Sequence, residues 1–349
     1  MAKERRRGRR GSGPLRVGLV GAGVIGNVHR AVYEQLPETE VVALADPRGV
    51  AVLSQGGAAY VPGSGVVSSI NVPIYATLTE MLAAEQLDIV DICSPTPLHR
   101  DQAVEALIAG KNVLCEKPMA RTTAECDEMV AAAKMNDRRF MIAHCLRFWP
   151  MYEYVRDLID SGEYGRVERA RFSRTVSAPE GGWFLQGERS GGAILDLHIH
   201  DVDATQWIFG VPRSLTAFGR IGPSGRHDQV VAVWHYPDDR LVTLEGTWLR
   251  SAREPFCMTF ELALEAATVT YDSTRPNGLQ LHVPGRPPLA PELSARDGYY
   301  YEIEYFVTCI LEGRPIERAA PESARTSVAL VEHEIHSIVS GTTVEVKAT

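Results

Sequence analysis

Short apolar runs alternate with amphipathic segments along the first 145 residues of the chain. A continuous apolar run of this kind is typical of a strand buried on both faces, and such strands belong to parallel sheets that helices cover on both sides. The pattern therefore predicts a doubly wound α/β domain over residues 14–145. The five predicted strands are residues 15–20, 41–45, 89–93, 112–115 and 139–145.

From residue 166 onward, apolar and polar positions alternate with a period of two. Ala170 and Phe172, for example, are set against Arg169 and Arg171. One apolar and one polar face are typical of an antiparallel sheet that packs on one side. We therefore expect a second domain over residues 146–349, an α+β domain with an open, mainly antiparallel sheet. Its predicted strands are residues 166–176, 215–220, 229–236, 241–249, 256–264, 267–271 and 279–283, and its predicted closing helices are 299–311 and 321–340.

A glycine-rich turn, GAGVIG, follows the first predicted strand directly. In a GxGxxG turn between a strand and a helix, Gly21 permits the tight turn, Gly23 lets a pyrophosphate approach the backbone, and Gly26 allows close helix-to-strand contact. The first residues of the helix, Val24 and Ile25, direct free N–H groups and the positive end of the helix dipole at the phosphates. The motif in this context predicts dinucleotide binding.

An acidic residue, Asp46, ends the second predicted strand 20 residues after Gly26. A carboxylate at this distance accepts hydrogen bonds from the ribose hydroxyls of NAD and repels the 2′-phosphate of NADP. Asp46 therefore favours NAD as the cofactor. Arg48, two residues later, leaves NADP open, because it could bind a 2′-phosphate if Asp46 turned away.

Composition and charge narrow the class of protein. Hydrophobic residues make up 45% of the 349 residues, which is ordinary for a globular protein with a substantial core. No apolar run approaches the ~20 residues of a membrane-spanning helix, and a net charge of −8 argues against nucleic acid as a partner. Residues 1–13 are expected to form a disordered basic tail, and residues 54–71 a surface loop. Since no apolar export segment follows the arginines of the tail and no CxxC pair is present, we expect a cytoplasmic protein with free thiols.

Four segments of the chain carry recognisable motifs. They are GAGVIG, SPTPLH, AGKNVLCEKP and GGAILDLHIHDVD, which begin at Gly21, Ser94, Ala109 and Gly191. With them, residues 15 to about 346 resemble the glucose-fructose oxidoreductase, inositol dehydrogenase and rhizopine catabolism (Gfo/Idh/MocA) family. The resemblance implies NAD(P)-dependent transfer of hydride between nicotinamide and a secondary alcohol or ketone of a sugar, cyclitol or similar polyhydroxylated substrate. It also implies a homodimer or homotetramer built on the open sheet, with the helices at about 299–340 packed back on the nucleotide-binding domain.

The EKP segment contains the first candidate for catalysis, Lys117. This lysine follows a predicted strand at the carboxyl edge of the sheet, where doubly wound sheets bind their ligands. In the family the matching lysine hydrogen-bonds the reacting oxygen, and its peptide bond to proline is often cis. The resemblance thus implies that Lys117 stabilises negative charge that develops on that oxygen. It further implies that cofactor contacts come from Ser94, Thr96, His99, Glu116 and Lys117.

A second pair of candidates lies in residues 193–209, which are predicted to form one helix that Gly210 ends. Asp196 and His200 are four residues apart, so they share a helix face, and a carboxylate there can orient an imidazole and raise its pKa. The DxxxH pair of the family falls on these two residues. The resemblance implies that His200 is the general acid/base and that Asp196 is its partner or a substrate ligand.

Other histidines and acids have competing interpretations. His198 and His200 form an HxH pair that on a strand would suit a metal, but on a helix their rings diverge by about 200°. We therefore predict no metal site and place His198 either behind the site, in a hydrogen bond, or on the helix surface. Asp201 and Asp203 are expected to serve structure, and the HEIH segment at 333–336 to lie on a solvated helix surface.

Substrate contacts are the least determined feature of the sequence. Arg147, Trp183 and Tyr300 fall in segments that line the substrate cleft of the family. Each also has a structural alternative: an ion-pair partner for Arg147, a core or loop aromatic for Trp183, and a core position for Tyr300. Two other functions also stay open, namely a catalytically inactive regulator that responds to dinucleotides and a glycosidase that uses transient oxidation by NAD.

Overall fold

The computed structural model describes residues 13–49, 71–179, 181–250 and 256–347. The basic tail predicted for residues 1–13 and the surface loop predicted for residues 54–71 lie almost wholly outside these ranges. Across the described ranges, no helix combines the length and the apolar character that crossing a membrane requires.

The first sheet confirms the predicted doubly wound fold. Its strands are β1 (Leu15–Val20), β2 (Thr39–Ala45), β3 (Ile74–Tyr75), β4 (Ile89–Ile92), β5 (Asn112–Glu116) and β6 (Phe140–Ala143). They are parallel and lie in the order β3-β2-β1-β4-β5-β6. The strand order reverses between β1 and β4, and such a switch point opens a crevice at the carboxyl ends of the strands. The strand that sequence analysis missed, β3, has only two residues and so carries no periodic signal.

The second sheet is open and mainly antiparallel, as predicted. Its strands are β7 (Val167–Ser177), β8 (Ser214–Ile221), β9 (His227–His235), β10 (Leu241–Arg250), β11 (Cys257–Leu264), β12 (Thr268–Asp272), β13 (Gln280–His282) and β14 (Val344–Glu345). The order is β13-β12-β11-β7-β10-β9-β8-β14, and the central pair β7 and β10 is parallel. Ala170 and Phe172 are fully buried, whereas Arg169 and Arg171 on the other face are exposed.

The helices cover the first sheet and one face of the second. They are α1 (Val24–Tyr33), α2 (Leu78–Ala84), α3 (His99–Ile108), α4 (Thr123–Asn136), α5 (Pro150–Ser161), α6 (Gly187–Ser190), α7 (Ala193–Asp196), α8 (Ile199–Phe209), α9 (Gly298–Glu312) and α10 (Pro321–Ser340). Local sequence sets their ends. The Thr122 hydroxyl accepts a hydrogen bond from the Glu125 N–H before α4, and Gly313 adopts a left-handed conformation after α9.

The two C-terminal helices join the two sheets. On α9, Ile303 and Phe306 share a hydrophobic cluster with Val17 of β1 and Val32 of α1. On α10, Glu332 accepts two hydrogen bonds from Thr123 at the start of α4. The Ala217 N–H of β8 donates to Ser337 on the same helix. Helix α9 therefore packs on the elements that carry the glycine turn, and α10 links α4 of the first domain to β8 of the second sheet.

The prediction of one continuous helix over residues 193–209 is wrong. The stretch forms α7 and α8, separated by two residues. The His198 N–H bonds a carbonyl five residues back, and the His200 N–H bonds one three residues back, so the regular i to i−4 pattern is interrupted. The buried side chain of His198 explains the break, because it packs against Gly246 of β10. The contact is so close that a Cβ on Gly246 would lie only 2.8 Å from the His198 Cβ.

Candidate functional site

The glycine turn between β1 and α1 has the geometry expected for a dinucleotide. Gly21 has a φ of 89°, and a Cβ there would lie 2.7 Å from the carbonyl oxygen of Cys93. A Cβ on Gly26 would lie 2.0 Å from the Gly21 carbonyl oxygen, so close packing of α1 requires glycine. A Cβ on Gly23, in contrast, would meet no atom within 4 Å. The backbone at the start of α1 therefore faces open space, and it fits a pyrophosphate.

Asp46 lies at the end of β2, beside this turn. It accepts a hydrogen bond from the Ala22 N–H at 3.0 Å, and the Arg48 guanidinium donates to both of its oxygens at 2.9 and 3.0 Å. Burial alone would raise the pKa of Asp46, but the hydrogen bonds from Arg48 and Ala22 outweigh it and lower the pKa. The residue is therefore an anion, and in this arrangement the Arg48 guanidinium is engaged by Asp46.

The segment after β4 supports the neighbouring turns. The Ser94 hydroxyl donates to Gln102 at 2.6 Å, and Thr96 is buried. His99 is also buried, and its ring nitrogens lie 2.8 Å from the carbonyl oxygens of Ser94 and Pro118. The imidazole thus ties this segment to the turn after β5 and has no free nitrogen for the cofactor contact that the resemblance implied. Ser94 and Thr96 stay candidates through their position at the carboxyl edge of β4.

Lys117 follows β5 directly, and its side chain reaches Asp196, the last residue of α7 in the second domain. Its peptide bond to Pro118 is cis, as the resemblance implied. The ammonium donates to the Asp196 carbonyl oxygen at 3.0 Å and lies 3.8 Å from a carboxylate oxygen of the same residue. The backbone N–H of Lys117 donates to Glu116 at 3.0 Å. The side chain is 17% exposed, so its ammonium is held in place and still open to a ligand.

The break between α7 and α8 makes this contact possible. In a continuous helix the Asp196 carbonyl would accept the His200 N–H, but here that N–H bonds to Leu197 instead. The Asp196 carbonyl is left for the Lys117 ammonium. Burial raises the pKa of the Asp196 carboxyl group, and the positive charge of Lys117 offsets only part of that shift. Asp196 therefore places a backbone carbonyl oxygen and a side-chain carboxyl oxygen next to the Lys117 ammonium.

His200 is a half-buried residue at the start of α8. Its Nδ1 is buried and has no hydrogen-bond partner within the described part of the chain. Burial lowers the pKa of His200 well below its ordinary value, and the neighbouring Lys117, Arg174 and His144 lower it further. The prediction that the Asp196 carboxylate raises this pKa is wrong, because burial and the cations Lys117 and Arg174 dominate. His200 is a neutral base at neutral pH.

His198 lies behind the site and not on the helix surface. It is fully buried, and its Nε2 is 3.0 Å from a carboxylate oxygen of Glu334 on α10. The other oxygen of Glu334 accepts the indole N–H of Trp234 at 2.9 Å. The prediction of a solvated surface for the HEIH segment holds for His336, which is exposed, and fails for Glu334, which is fully buried and pairs with His198.

Two buried ion pairs hold α8 against its surroundings. Arg147 donates to both carboxylate oxygens of Asp203 at 2.7 and 2.8 Å, and Arg174 of β7 donates to Asp201 at 2.8 Å. All four residues are at most 4% exposed. Arg147 is therefore an ion-pair partner, which was its structural alternative. The substrate contact predicted for it is wrong, since its guanidinium is buried and donates to Asp203.

Trp183 and Tyr300 differ in position. Trp183 lies half-exposed in the turn Gly182–Leu185, stacked on Phe184 with ring centroids 4.3 Å apart, and stays a candidate for substrate contact. The Tyr300 hydroxyl donates to Glu304, and its ring lines a surface cavity of about 820 Å³. The residues that line this cavity do not include Lys117, Asp196 or His200. Tyr300 is not brought to the site.

Sequence analysis missed His29, a fully buried residue of α1 that lies behind Lys117. Its Nδ1 is 2.9 Å from Asp91 of β4, and its Nε2 is 3.3 Å from Glu116. The available signal was a histidine within the apolar face of the helix that follows the glycine turn. Within the described ranges, two groups of three or more His, Cys, Asp and Glu side chains come within mutual reach, and both contain His29. Neither group includes the HxH pair.

Comparison with known proteins agrees with this architecture. A model described as an oxidoreductase family with an NAD-binding Rossmann fold matches residues 15–144, and a GFO/IDH/MocA C-terminal domain model matches residues 152–270. Inositol 2-dehydrogenase of Rhizobium meliloti (strain 1021) is 29% identical over 340 residues, which cover 93% of this chain and 97% of that protein. D-glucoside 3-dehydrogenase of Escherichia coli (strain K12) is 27% identical over 360 residues, which cover 96% of this chain and 98% of that protein.

Solved structures show the same fold. GenD2 from gentamicin A biosynthesis, in complex with NAD, superposes with a TM-score of 0.81 at 24% identity, and the match covers 98% of this chain and 99% of GenD2. The matched ranges contain the first sheet, strands β7 to β11 of the second sheet, and the segments that carry the glycine turn, Lys117, Asp196 and His200. The chain therefore belongs to the GFO/IDH/MocA family of oxidoreductases, with an NAD-binding Rossmann domain in its N-terminal part.

Proposed function

We propose that this enzyme transfers hydride between NAD and a secondary alcohol or ketone of a sugar or cyclitol, with Lys117 and His200 acting on the reacting oxygen. The observation that carries the proposal is the position of Lys117. It follows β5 at the carboxyl edge of the first sheet, and its ammonium is held 3.0 Å from the Asp196 carbonyl oxygen. When bound, NAD supplies the hydride acceptor, and NADH the donor, at the nicotinamide ring. The side chains must then hold the substrate oxygen and move one proton.

Lys117 is suited to hold the substrate oxygen. An ammonium has three N–H donors, and the Asp196 carbonyl uses one of them, which leaves donors for a ligand. A cation fixed in advance in a partly buried site stabilises negative charge on an oxygen more than the same cation in water would. Lys117 thereby lowers the energy of the alkoxide that develops as the substrate hydroxyl loses its proton and that becomes the carbonyl when the carbinol carbon loses hydride.

His200 is suited to move the proton. Because burial and neighbouring cations lower the pKa of its imidazole, the ring is neutral at neutral pH and can accept the proton of the substrate hydroxyl. After oxidation the imidazolium returns the proton to solvent, and in the reductive direction it donates the proton to the carbonyl oxygen. A proton acceptor and a fixed cation on one oxygen are sufficient for either direction.

A polyhydroxylated ring fits the polar groups at this position. Neighbouring hydroxyls can accept from Lys117 and donate to the Asp196 carboxyl group, which is 13% exposed. The half-exposed indole of Trp183 offers an apolar surface for the ring carbons. Two relatives that align over nearly the whole chain are named as dehydrogenases of an inositol and of a D-glucoside, which supports this class.

A substrate screen tests the proposal. Purified enzyme is mixed with NAD and, in turn, with myo-inositol, scyllo-inositol, D-glucose, methyl D-glucoside and levoglucosan, and NADH is followed by its absorbance. We expect at least one of these compounds to reduce NAD, and Lys117→Met, which keeps the length of the side chain and removes its charge, to abolish most of that rate. Full activity of Lys117→Met would contradict the role of Lys117. Tight NADH binding without turnover of any polyol or ketose would favour the regulatory alternative.

A further inference from the structure

A closed group of ionisable side chains lies directly behind Lys117, between the first sheet and two helices. It consists of His29 on α1, Asp91 on β4, Glu116 on β5 and Glu302 on α9, which we call the His29 cluster. Three of these side chains are fully buried, and Glu116 is 6% exposed. Such a concentration of carboxyl groups in a protein interior requires a compensating positive charge.

The distances place His29 at the centre of the cluster. Its Nδ1 forms a hydrogen bond with an Asp91 oxygen at 2.9 Å. Its Nε2 makes no hydrogen bond within the described residues and lies at ion-pair distance from two carboxyl groups, 3.3 Å from a Glu116 oxygen and 3.8 Å from a Glu302 oxygen. An imidazolium has two N–H donors on opposite sides of the ring, which suits one carboxylate at each nitrogen. A neutral imidazole would leave one of its nitrogens, a bare acceptor, facing a carboxylate.

The charges of the cluster fit this assignment. Burial alone would lower the pKa of His29, but contacts with Cys93 and Asp91 outweigh burial and raise it well above the ordinary value. Burial would raise the pKa of Glu116, yet the hydrogen bond and charge of His29 lower it. Burial raises the pKa of Glu302 well above its ordinary range. The directions of these shifts favour an imidazolium at His29, a carboxylate at Glu116 and a neutral carboxyl group at Glu302.

Other ionisable groups face the cluster without changing this balance. Burial raises the pKa of Tyr33 on α1, of Cys93 after β4, of Tyr299 on α9 and of Cys145 after β6, so all four are neutral near pH 7. Lys117 contributes the second positive charge near Glu116. Two cations, His29 and Lys117, thus face the carboxylates of the cluster.

Glu116 connects the cluster to the site. One of its oxygens faces His29, and the other accepts the backbone N–H of Lys117 at 3.0 Å. His29 itself lies three residues after Gly26 on α1, the helix whose first turn belongs to the cofactor site. A change at His29 therefore reaches the main chain of Lys117 through a single side chain.

We propose that His29 is a positioning residue, an imidazolium that bridges Asp91 and Glu116 and through Glu116 holds the backbone of Lys117 in place for hydride transfer. The inference rests on the proposed role of Lys117. Without the imidazolium, Glu116 is a buried carboxylate with one cation fewer, and it takes up a proton or moves. The Lys117 ammonium then loses its set position relative to the substrate oxygen, and a displacement of about 1 Å costs on the order of 10²-fold in rate.

Kinetics of matched variants test this role. We expect His29→Gln to lower kcat by about 10- to 100-fold, with the polyol of the panel above that reduces NAD fastest, and to leave the Kd for NADH nearly unchanged. Glu302→Gln is the control in the same cluster, because it replaces a group that is already neutral by one of the same size, and it should retain kcat. An equal loss in both variants would mean that His29 acts only through core packing and would overturn the proposal.

A double-variant cycle separates positioning from stability. If His29 acts through Glu116, then His29→Gln lowers kcat in the wild-type background and has little further effect in the Glu116→Gln background. Independent, multiplicative losses in kcat would contradict the inference. If Lys117→Met keeps full activity, the proposed function fails, whatever the His29 variants do.

The protonation state can be tested on the wild-type enzyme, so the test holds even where a variant does not fold. Neutron diffraction at neutral pH should locate deuterium on both ring nitrogens of His29, directed at Asp91 and Glu116. A ring that carries deuterium on one nitrogen only, or a metal ion bound at His29, would overturn the proposal independently of any activity measurement.

Discussion

At the residue scale, the site uses one cation for two purposes. The Lys117 ammonium is placed to hold an oxygen, and its charge also helps to lower the pKa of His200. Burial does the rest, because a low-dielectric surrounding disfavours an imidazolium that has no carboxylate partner. The pKa of His29 shifts in the opposite direction, since contacts with Cys93 and Asp91 raise it in spite of full burial. The neighbours of two buried histidines thus shift the pKa values of their imidazoles in opposite directions.

Replacement of His200 tests its part in proton transfer. We expect His200→Ala to lower kcat by about 10²- to 10⁴-fold, the usual contribution of a general acid/base, while the Kd for NADH changes little. The matched control is His336→Ala, which removes an exposed histidine of α10 and should retain full activity. If His200→Ala stays active while Lys117→Met does not, proton transfer belongs to Lys117 or to water.

The lowered pKa of His200 predicts the pH dependence of oxidation. The neutral imidazole is the active form, and a pKa below the ordinary 6.5 means that this form persists as the pH falls through 6.5. The kcat for oxidation should therefore stay level from pH 8 to about pH 6 and decline only at lower pH. A decline centred at or above 6.5 in wild type, absent from His200→Ala, would contradict the lowered pKa.

Asp46 should determine the choice between the two dinucleotides. We predict that the enzyme binds NAD more tightly than NADP, because a 2′-phosphate would be repelled by the Asp46 carboxylate. Asp46→Ser removes this charge and releases Arg48, so the ratio of the two Kd values should narrow by at least about tenfold. The measurement is titration calorimetry with both dinucleotides, and equal affinities in wild type would make Arg48 the phosphate ligand.

At the element scale, the break between α7 and α8 is the feature on which the site depends. Helical periodicity and the stop at Gly210 indicated one helix, and both signals are local. The packing of His198 against Gly246 and Glu334 is not local, because these residues come from β10 and α10. A tertiary contact therefore overrides helix propensity at the position where a free carbonyl is needed for Lys117.

The pair between Arg174 and Asp201 should contribute strongly to stability, because it anchors α8 to β7. Arg174→Met leaves the buried Asp201 without a cation, and we expect the free energy of unfolding to fall by about 3–5 kcal/mol. Arg171→Met is the matched control on the other face of β7, where an exposed pair with Glu245 is expected to contribute at most about 1 kcal/mol. Urea denaturation of both variants measures the two free energies of unfolding. Similar losses in both would show that the buried pair stabilises the protein no more than the exposed pair does.

At the scale of the whole molecule, the two sheets differ in how they are covered. Helices enclose the first sheet, whereas the outer face of the second keeps apolar side chains in water, among them Phe218 and its cross-strand partner Val231. Leu241 lies on the same face, and it is 47% exposed. Apolar patches among polar residues are typical of protein interfaces.

A homo-oligomer that buries this face is the expected state in solution. Phe218→Glu would put a carboxylate at the centre of the contact and should shift the protein to monomers, as measured by light scattering coupled to gel filtration. Met135→Glu is the control, because Met135 is 85% exposed on α4, away from the second sheet. A monomeric wild-type protein, or an unchanged oligomer in Phe218→Glu, would contradict the assignment.

The sequence by itself determined what depends on neighbours along the chain. The apolar period placed all five predicted strands of the first sheet, and the GxGxxG turn predicted the open backbone at Gly23 because those glycines are required by local geometry. Lys117 and His200 were proposed as site residues through a family resemblance that contiguous motifs carry. Each of these features is encoded within about 20 residues, the range over which periodicity and turn chemistry act.

Only the tertiary structure decided the charges and partners of the buried groups. Arg147 pairs with Asp203 across 56 positions in the chain, and His29 meets Glu116 across 87 and Glu302 across 273. No periodic pattern in the sequence predicts these contacts, because they depend on which faces of distant elements pack together. The pKa shifts of His200 and His29 follow from such contacts, since burial and neighbouring charge, not residue type, set the pKa of a buried imidazole.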